Sequence, residues 1–110
     1  MNKFRNVKTT TPDGITHDSK REASRWCDLL LLQRGGEITG LERQFVVPLM
    51  GQDGPLLSRT GRKLKYIADF RYFDSRLNAW VIEDAKGVET EGFKLKRAIC
   101  AAMGIDVTTI

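Results

Sequence analysis

The sequence lacks most of what marks a secreted, disulfide-held or membrane-spanning protein. It has two cysteines, Cys27 and Cys100, and their separation matches no metal-ligand spacing. Both lie in helix-like apolar patterns, so buried free thiols in a reducing compartment are expected. Its one histidine, His17, stands just before a helix and reads as a surface residue. The longest apolar run, Leu29 to Leu32, falls far short of the roughly 18 residues of a membrane span. Lys3, Arg5 and Lys8 are followed by no apolar stretch, so no signal peptide is expected, and the chain reads as soluble and cytoplasmic. There is no internal repeat and no low-complexity segment. At 110 residues the chain has no room for a dedicated cofactor domain beside a catalytic one. What is present is an ordinary globular mixture, 41% hydrophobic and 29% charged, which excludes disorder throughout. The 18 Lys and Arg outnumber the 14 Asp and Glu; the net +4 permits a polyanionic partner without requiring one.

Local signals divide the chain into a basic, Thr-rich arm over residues 1–17, mobile or weakly held, and one domain over 18–110. Ser19 with Glu22 fits a capping box, and Ala23, Trp26, Cys27, Leu30 and Leu31 recur at helical spacing before Gly35 and Gly36. A helix is expected over 18–34. A strand follows over 41–49, ending at Pro48 or lying on an edge, because proline cannot donate a ladder bond. Residues 50–63 read as a Gly-rich loop with a basic end. Strands over 65–73 and 79–86, joined by a short polar turn, should form a hairpin. A helix over 90–103 then crosses over to a short strand at 105–110, the natural connection of a parallel pair. The expected fold is α/β, in the order α-β-β-β-α-β, with a central mixed sheet flanked by helices.

The chemistry lies in acid placed inside strands. Asp69 interrupts Tyr66-Ile67-Ala68-Asp69-Phe70, and Asp84 interrupts Val81-Ile82-Glu83-Asp84-Ala85-Lys86. A carboxylate near a core is costly unless something compensates it. If the strands pair, Asp69 and Asp84 lie side by side with Lys86 on the same face, while Glu83 points away as a salt-bridge partner. Adjacent carboxylates repel, which favours a bound Mg²⁺ or a shared proton. A metal there would polarise a phosphodiester and acidify an attacking water, and the lysine would stabilise the charge gathering on phosphate. Glu22 is either a third ligand or simply the cap of its helix. Read alone, Asp69 also fits a strand-edge partner of Arg71 or Lys65, and Asp84 with Lys86 fits a solvated strand face.

Asp69, followed fifteen residues later by Asp84-Ala85-Lys86-Gly87, resembles the Asp…(Asp/Glu)-x-Lys motif of the PD-(D/E)XK nuclease superfamily. Asp18-Ser19-Lys20-Arg21-Glu22-Ala23, Tyr66 to Phe70, and Glu83 to Gly87 with Thr90 and Phe93 resemble small phage endonucleases, from about residue 4 to the C-terminus. Holliday junction resolvases of that superfamily also take a metal-binding glutamate from the first helix. The resemblance implies a restriction-endonuclease-like core, with Glu22, Asp69 and Asp84 as ligands of Mg²⁺ or Mn²⁺ and Lys86 as the catalytic lysine. It departs in carrying Ala68 where proline often precedes the first aspartate, and in having Asp rather than the commoner Glu at 84. It implies a DNA endonuclease acting in the bacterial host cytoplasm on branched DNA or four-way junctions, as a homodimer because two strands are cut. A nicking or restriction-like nuclease on duplex or single strands, or a non-cleaving DNA-binding module, are the alternatives. On a DNA substrate, Arg59, Arg62, Lys63 and Lys65 become phosphate contacts, with Lys3, Arg5 and Lys8 in the arm and Lys94, Lys96 and Arg97 on the second helix. Gln44 reads as a contact to metal-bound water or DNA, or as a polar edge residue. Trp26 reads as core, and Trp80 as packing on or flanking the hairpin.

Overall fold

In the computed structural model, which describes residues 7–110, the elements run β1 (Thr9–Thr10), β2 (Thr16–His17), α1 (Lys20–Arg34), β3 (Ile38–Pro48), β4 (Met50–Gly51), β5 (Gly54–Pro55), β6 (Lys65–Asp74), β7 (Ala79–Asp84), α2 (Glu91–Ala102) and β8 (Val107–Thr109). Local chemistry sets both helix starts. Ser19 Oγ accepts the Glu22 N–H at 3.1 Å, and Thr90 Oγ1 accepts the Phe93 N–H at 3.1 Å. The central sheet has the order β3-β6-β7-β8, antiparallel except for the parallel β7–β8 pair. β3 is an edge strand ending at Pro48, where a missing N–H costs nothing. The fold is thus α/β, with a central mixed sheet and two helices. Within the 50–63 loop, β4 and β5 form a small hairpin.

The helices cover opposite faces of the sheet. Trp26 and Leu29 of α1 pack with Ile38, Phe70, Tyr72 and Val81, whereas Phe93 and Cys100 of α2 pack with Tyr66, Ala68, Ile82 and Val107. Val81 and Ile82 are neighbours on β7, and successive strand residues point to opposite faces. On β6, however, Ala68 belongs to the α2 side and Phe70 to the α1 side, so the alternation breaks at Asp69. The adjacent edge strand breaks at the facing position. Arg43 lies over the Trp26 ring, Phe45 packs with the α2 cluster, and Gln44 between them has φ 53°. A left-handed backbone at a non-glycine residue within a strand is strained, and it reverses which side the chain presents. The register Arg43↔Phe70 and Phe45↔Ala68 sets Gln44 opposite Asp69.

Three expectations need correction. The arm is a folded hairpin over its described part: Thr9 pairs with His17, Thr10 with Thr16, and Trp26 Nε1 donates to Asp13 Oδ2 at 2.7 Å. His17 is not a surface residue but fully buried, because that hairpin lays its ring 6.0 Å from Trp26. Of the two free thiols only Cys100 is buried; Cys27 is half-buried. Trp26 is core, while Trp80 is half exposed, with Phe73 edge-on at 5.5 Å and the Arg71 guanidinium stacked at 3.9 Å.

Candidate active site

Where the strand alternation breaks, the ladder loses regular partners, and two carboxylates replace them. The Asp69 N–H donates to Asp84 Oδ1 at 2.8 Å, and the Ala85 N–H donates to Asp69 Oδ2 at 2.9 Å. Asp69 and Asp84 therefore face each other across β6 and β7, each holding the other's strand. Glu22, 4% exposed, enters from the first turn of α1. Its backbone N–H takes the Ser19 cap, but its carboxylate turns inward: Oε1 lies 3.5 Å from His17 Nδ1, 3.5 Å from Gln44 Nε2 and 3.9 Å from Arg43 Nη2. Capping and siting are thus performed by different atoms of one residue. A cleft of about 330 Å³ is lined by Asp18, Arg21, Glu22, Asp69, Lys86 and Thr90. Lys86 rests its ammonium over the Phe93 ring, 4.8 Å from the centroid.

The electrostatics is that of a site short of positive charge. Burial pushes the Asp69 carboxyl up to about 6; the charge of Glu22 adds to this, while the Ala85 N–H and Lys86 oppose it. Burial likewise raises Asp84 against the Asp69 N–H and Lys86, and raises Glu22, with the charges of Asp18 and Asp84 adding. Asp84 is 1% exposed, and its Oδ2 has no hydrogen-bond partner. A buried, partnerless carboxylate oxygen on the strand beside Asp69 has the donor chemistry of a hard divalent cation site, since such ions prefer oxygen ligands. Among the described residues, no three His, Cys, Asp or Glu side chains lie close enough together to hold a metal ion.

Glu83 points to the other face. It is fully buried and receives Arg25 Nε at 2.6 Å, Arg25 Nη2 at 3.1 Å and the Tyr72 hydroxyl at 2.7 Å. Burial and then Glu83 push the Tyr72 hydroxyl up to about 12, so it stays a donor. Arg25 lies three residues after Glu22, so this bond fastens α1 to β7 beside the carboxylates.

The basic residues separate into groups. Lys65 and Lys96 lie together in a cavity next to the cleft. Lys94 and Arg97 are paired with Glu91 and Glu89 at 3.5 and 3.0 Å. Lys8, Arg59, Arg62 and Lys63 are exposed; Lys3 and Arg5 lie outside the described residues. Asp69 pairs with neither Arg71 nor Lys65, since Arg71 holds Glu42 at 2.8 Å. The inward contacts of His17 and Arg43 and the fastening role of Arg25 escaped sequence reasoning; the only available sign was Arg25's helical spacing from Glu22.

His17 supports one prediction. Burial, and then the charge of Arg43, lower its pKa below the ordinary 6.5, so folding keeps it neutral. Its contribution to stability is present above pH 6.5 and lost as pH falls through the folded value. His17→Phe keeps an aromatic ring beside Trp26 and removes that loss. The melting-temperature difference between variant and wild type is expected to grow from pH 7 to pH 5; parallel curves would count against this role.

The DUF1064 family, proteins of unknown function, matches residues 1–109. No curated protein and no solved structure matches the chain. The chain belongs to the DUF1064 family.

Proposed function

We propose that the protein is a metal-dependent DNA endonuclease of the PD-(D/E)XK class, hydrolysing phosphodiesters in branched DNA such as four-way junctions. The observation carrying this reading is Asp69, which shares a cleft with Glu22 and Lys86 and is bonded across the strands to Asp84, buried behind that cleft. In this reading the order α1, β3, β6, β7, α2, β8 is the restriction-endonuclease-like core, with the small hairpins as additions.

Asp69, Asp84 and Glu22 would hold Mg²⁺ or Mn²⁺, which supplies Lewis acidity toward phosphate and lowers the pKa of an attacking water. The protein's own contribution is positional. The two backbone N–H bonds fix the aspartates, and Gln44 and Arg43 restrain Glu22. The Phe93 ring supports the Lys86 ammonium where it can orient water and meet charge developing on phosphate. The chain offers little surface for reading sequence, which favours recognition of DNA shape and backbone. Symmetric cutting of a junction requires two sites, hence a homodimer in the host cytoplasm. That no three such side chains among the described residues lie close enough to hold a metal favours one competing reading, a DNA-binding module that does not cut.

The test compares cleavage of a four-way junction, a flap, a duplex and a single strand in Mg²⁺ and in Mn²⁺. Preference for the junction is expected. Equal cutting of duplex and junction removes the branched substrate but leaves the nuclease, and no cutting of any form leaves only binding. Metal binding is read separately by thermal melts. Saturating Mn²⁺ at 100 times its dissociation constant stabilises a folded site by about 2.7 kcal/mol. The wild type is expected to show a rise of that order and Asp84→Asn little or none.

A further inference from the structure

A second cavity, of about 480 Å³, adjoins the carboxylate cleft and shares Lys86 and Thr90 with it. Lys65, Lys86 and Lys96 line it, with Ile67, Gly92 and Phe93, and no carboxylate does. Among the described residues none of these three lysines forms an ion pair, whereas Lys94 and Arg97 on the same helix are already neutralised by Glu91 and Glu89. Three lysines without an ion-pair partner around one cavity give it a positive potential, which an anion entering it would offset. Two further features favour an anion there. Thr90 caps only the Phe93 N–H, so the amides of Glu91 and Gly92 begin α2 without intrahelical partners, and the helix dipole adds positive potential. Ile67, 42% exposed, gives the cavity an apolar side suited to a deoxyribose.

We infer that this cavity is a subsite for the backbone phosphate adjacent to the scissile one, with Lys86 standing between the two. The inference rests on the nuclease reading and deepens it: the DNA strand runs from the carboxylate cleft into the lysine cavity. Such a site demands a nucleotide on that side of the cut and accounts for internal rather than terminal cleavage.

The test measures binding of a four-way junction by fluorescence anisotropy in EDTA across a salt series, so that cleavage plays no part. Lys65→Ala/Lys96→Ala is compared with Arg34→Ala/Arg76→Ala, which removes the same formal charge from exposed positions, Arg34 at the C-terminal end of α1 and Arg76, loosely paired with Asp74, in the turn after β6. Losing one phosphate contact flattens the slope of log affinity against log salt by about 0.9. That flattening and a loss of affinity of about tenfold are expected for the lysine pair only. A single methylphosphonate placed next to the scissile position should weaken wild-type binding on one side and leave the lysine variant indifferent. Equal effects of the two double variants, or equal sensitivity of wild type and variant to the methylphosphonate, overturn the subsite. If the lysine variant binds and cleaves like the wild type, the subsite falls while the nuclease stands. If the wild type binds no DNA in EDTA, the subsite falls, and the cleavage comparison in Mg²⁺ and Mn²⁺ decides the nuclease.

Discussion

Asp69→Asn is expected to lose cleavage by about a thousandfold or more, yet to melt at a higher temperature than the wild type in metal-free buffer at pH 7.5. On the proposed nuclease reading, the first effect follows from removing a charge that would hold the metal and, with it, the stabilisation aimed at the transition state. The second follows from the sign of the pKa shift. The folded chain holds the Asp69 carboxyl at about 6, against an ordinary value of 3.8. Between those values the folded state keeps a proton that the unfolded state has released. Stability from this group is therefore complete below pH 3.8 and is lost as pH rises through 6. Above pH 6 the ionised carboxylate costs the folded state about 1–3 kcal/mol, the lower figure allowing for water in the open cleft. Asparagine can still accept the Ala85 N–H and carries no charge, so the variant recovers that energy. On the same reading it should also lack the stabilisation that Mn²⁺ is expected to give the wild type. Cleavage at the wild-type rate would remove Asp69 from the site. Lower apo stability at pH 7.5 would mean that the extra strength of a charged acceptor for the Ala85 N–H outweighs the cost of the buried charge.

Removing Glu83 should produce the largest loss of stability. Its carboxylate is wholly buried and accepts three hydrogen bonds, two from Arg25 and one from Tyr72. Glu83→Leu leaves the guanidinium and the hydroxyl facing an apolar side chain, and breaking a buried pair in this way costs about 3–5 kcal/mol. For a domain of this size that lowers the melting temperature by roughly 12–40 °C. Arg25→Met alone leaves Glu83 buried without its cation and should also be strongly destabilising. The double variant Arg25→Met/Glu83→Leu removes both charges and should recover much of the loss, because an apolar pair avoids the desolvation cost. Tyr72→Phe should cost only about 1 kcal/mol. Additive single losses in the double variant would show that the two side chains act independently. Because the pair ties α1 to β7, the single variants should also bind Mn²⁺ more weakly at temperatures where they remain folded.

These two predictions draw on different kinds of information. The aspartates were recognisable because acid inside an apolar strand is anomalous, and strand pairing after a short polar turn is a local matter. Helix limits were legible for the same reason: Ser19, Gly35 and Thr90 act on backbone groups within three or four residues. The 50–63 loop hid a small hairpin because two-residue strands carry no periodic signal.

Side-chain partners between elements were not legible. Sequence alternation assigned each strand residue a face, but Gln44 and Asp69 break that alternation together. A left-handed glutamine is stable only where the neighbouring strand and the carboxylates hold it, so the break belongs to the paired strands and not to either segment. His17 read as surface because its burial depends on Trp26, nine residues away on a helix the arm folds against. Lys94, Lys96 and Arg97 read as equivalent until Glu89 and Glu91 were seen to neutralise two of them. The sequence was sufficient for which residues carry charge and where the helices and main strands run, because residue type and local spacing carry that information. Which carboxylates meet, which cations stay unpaired and which face each strand presents were decided by tertiary structure, because charge and burial act between groups distant in the chain and adjacent in space.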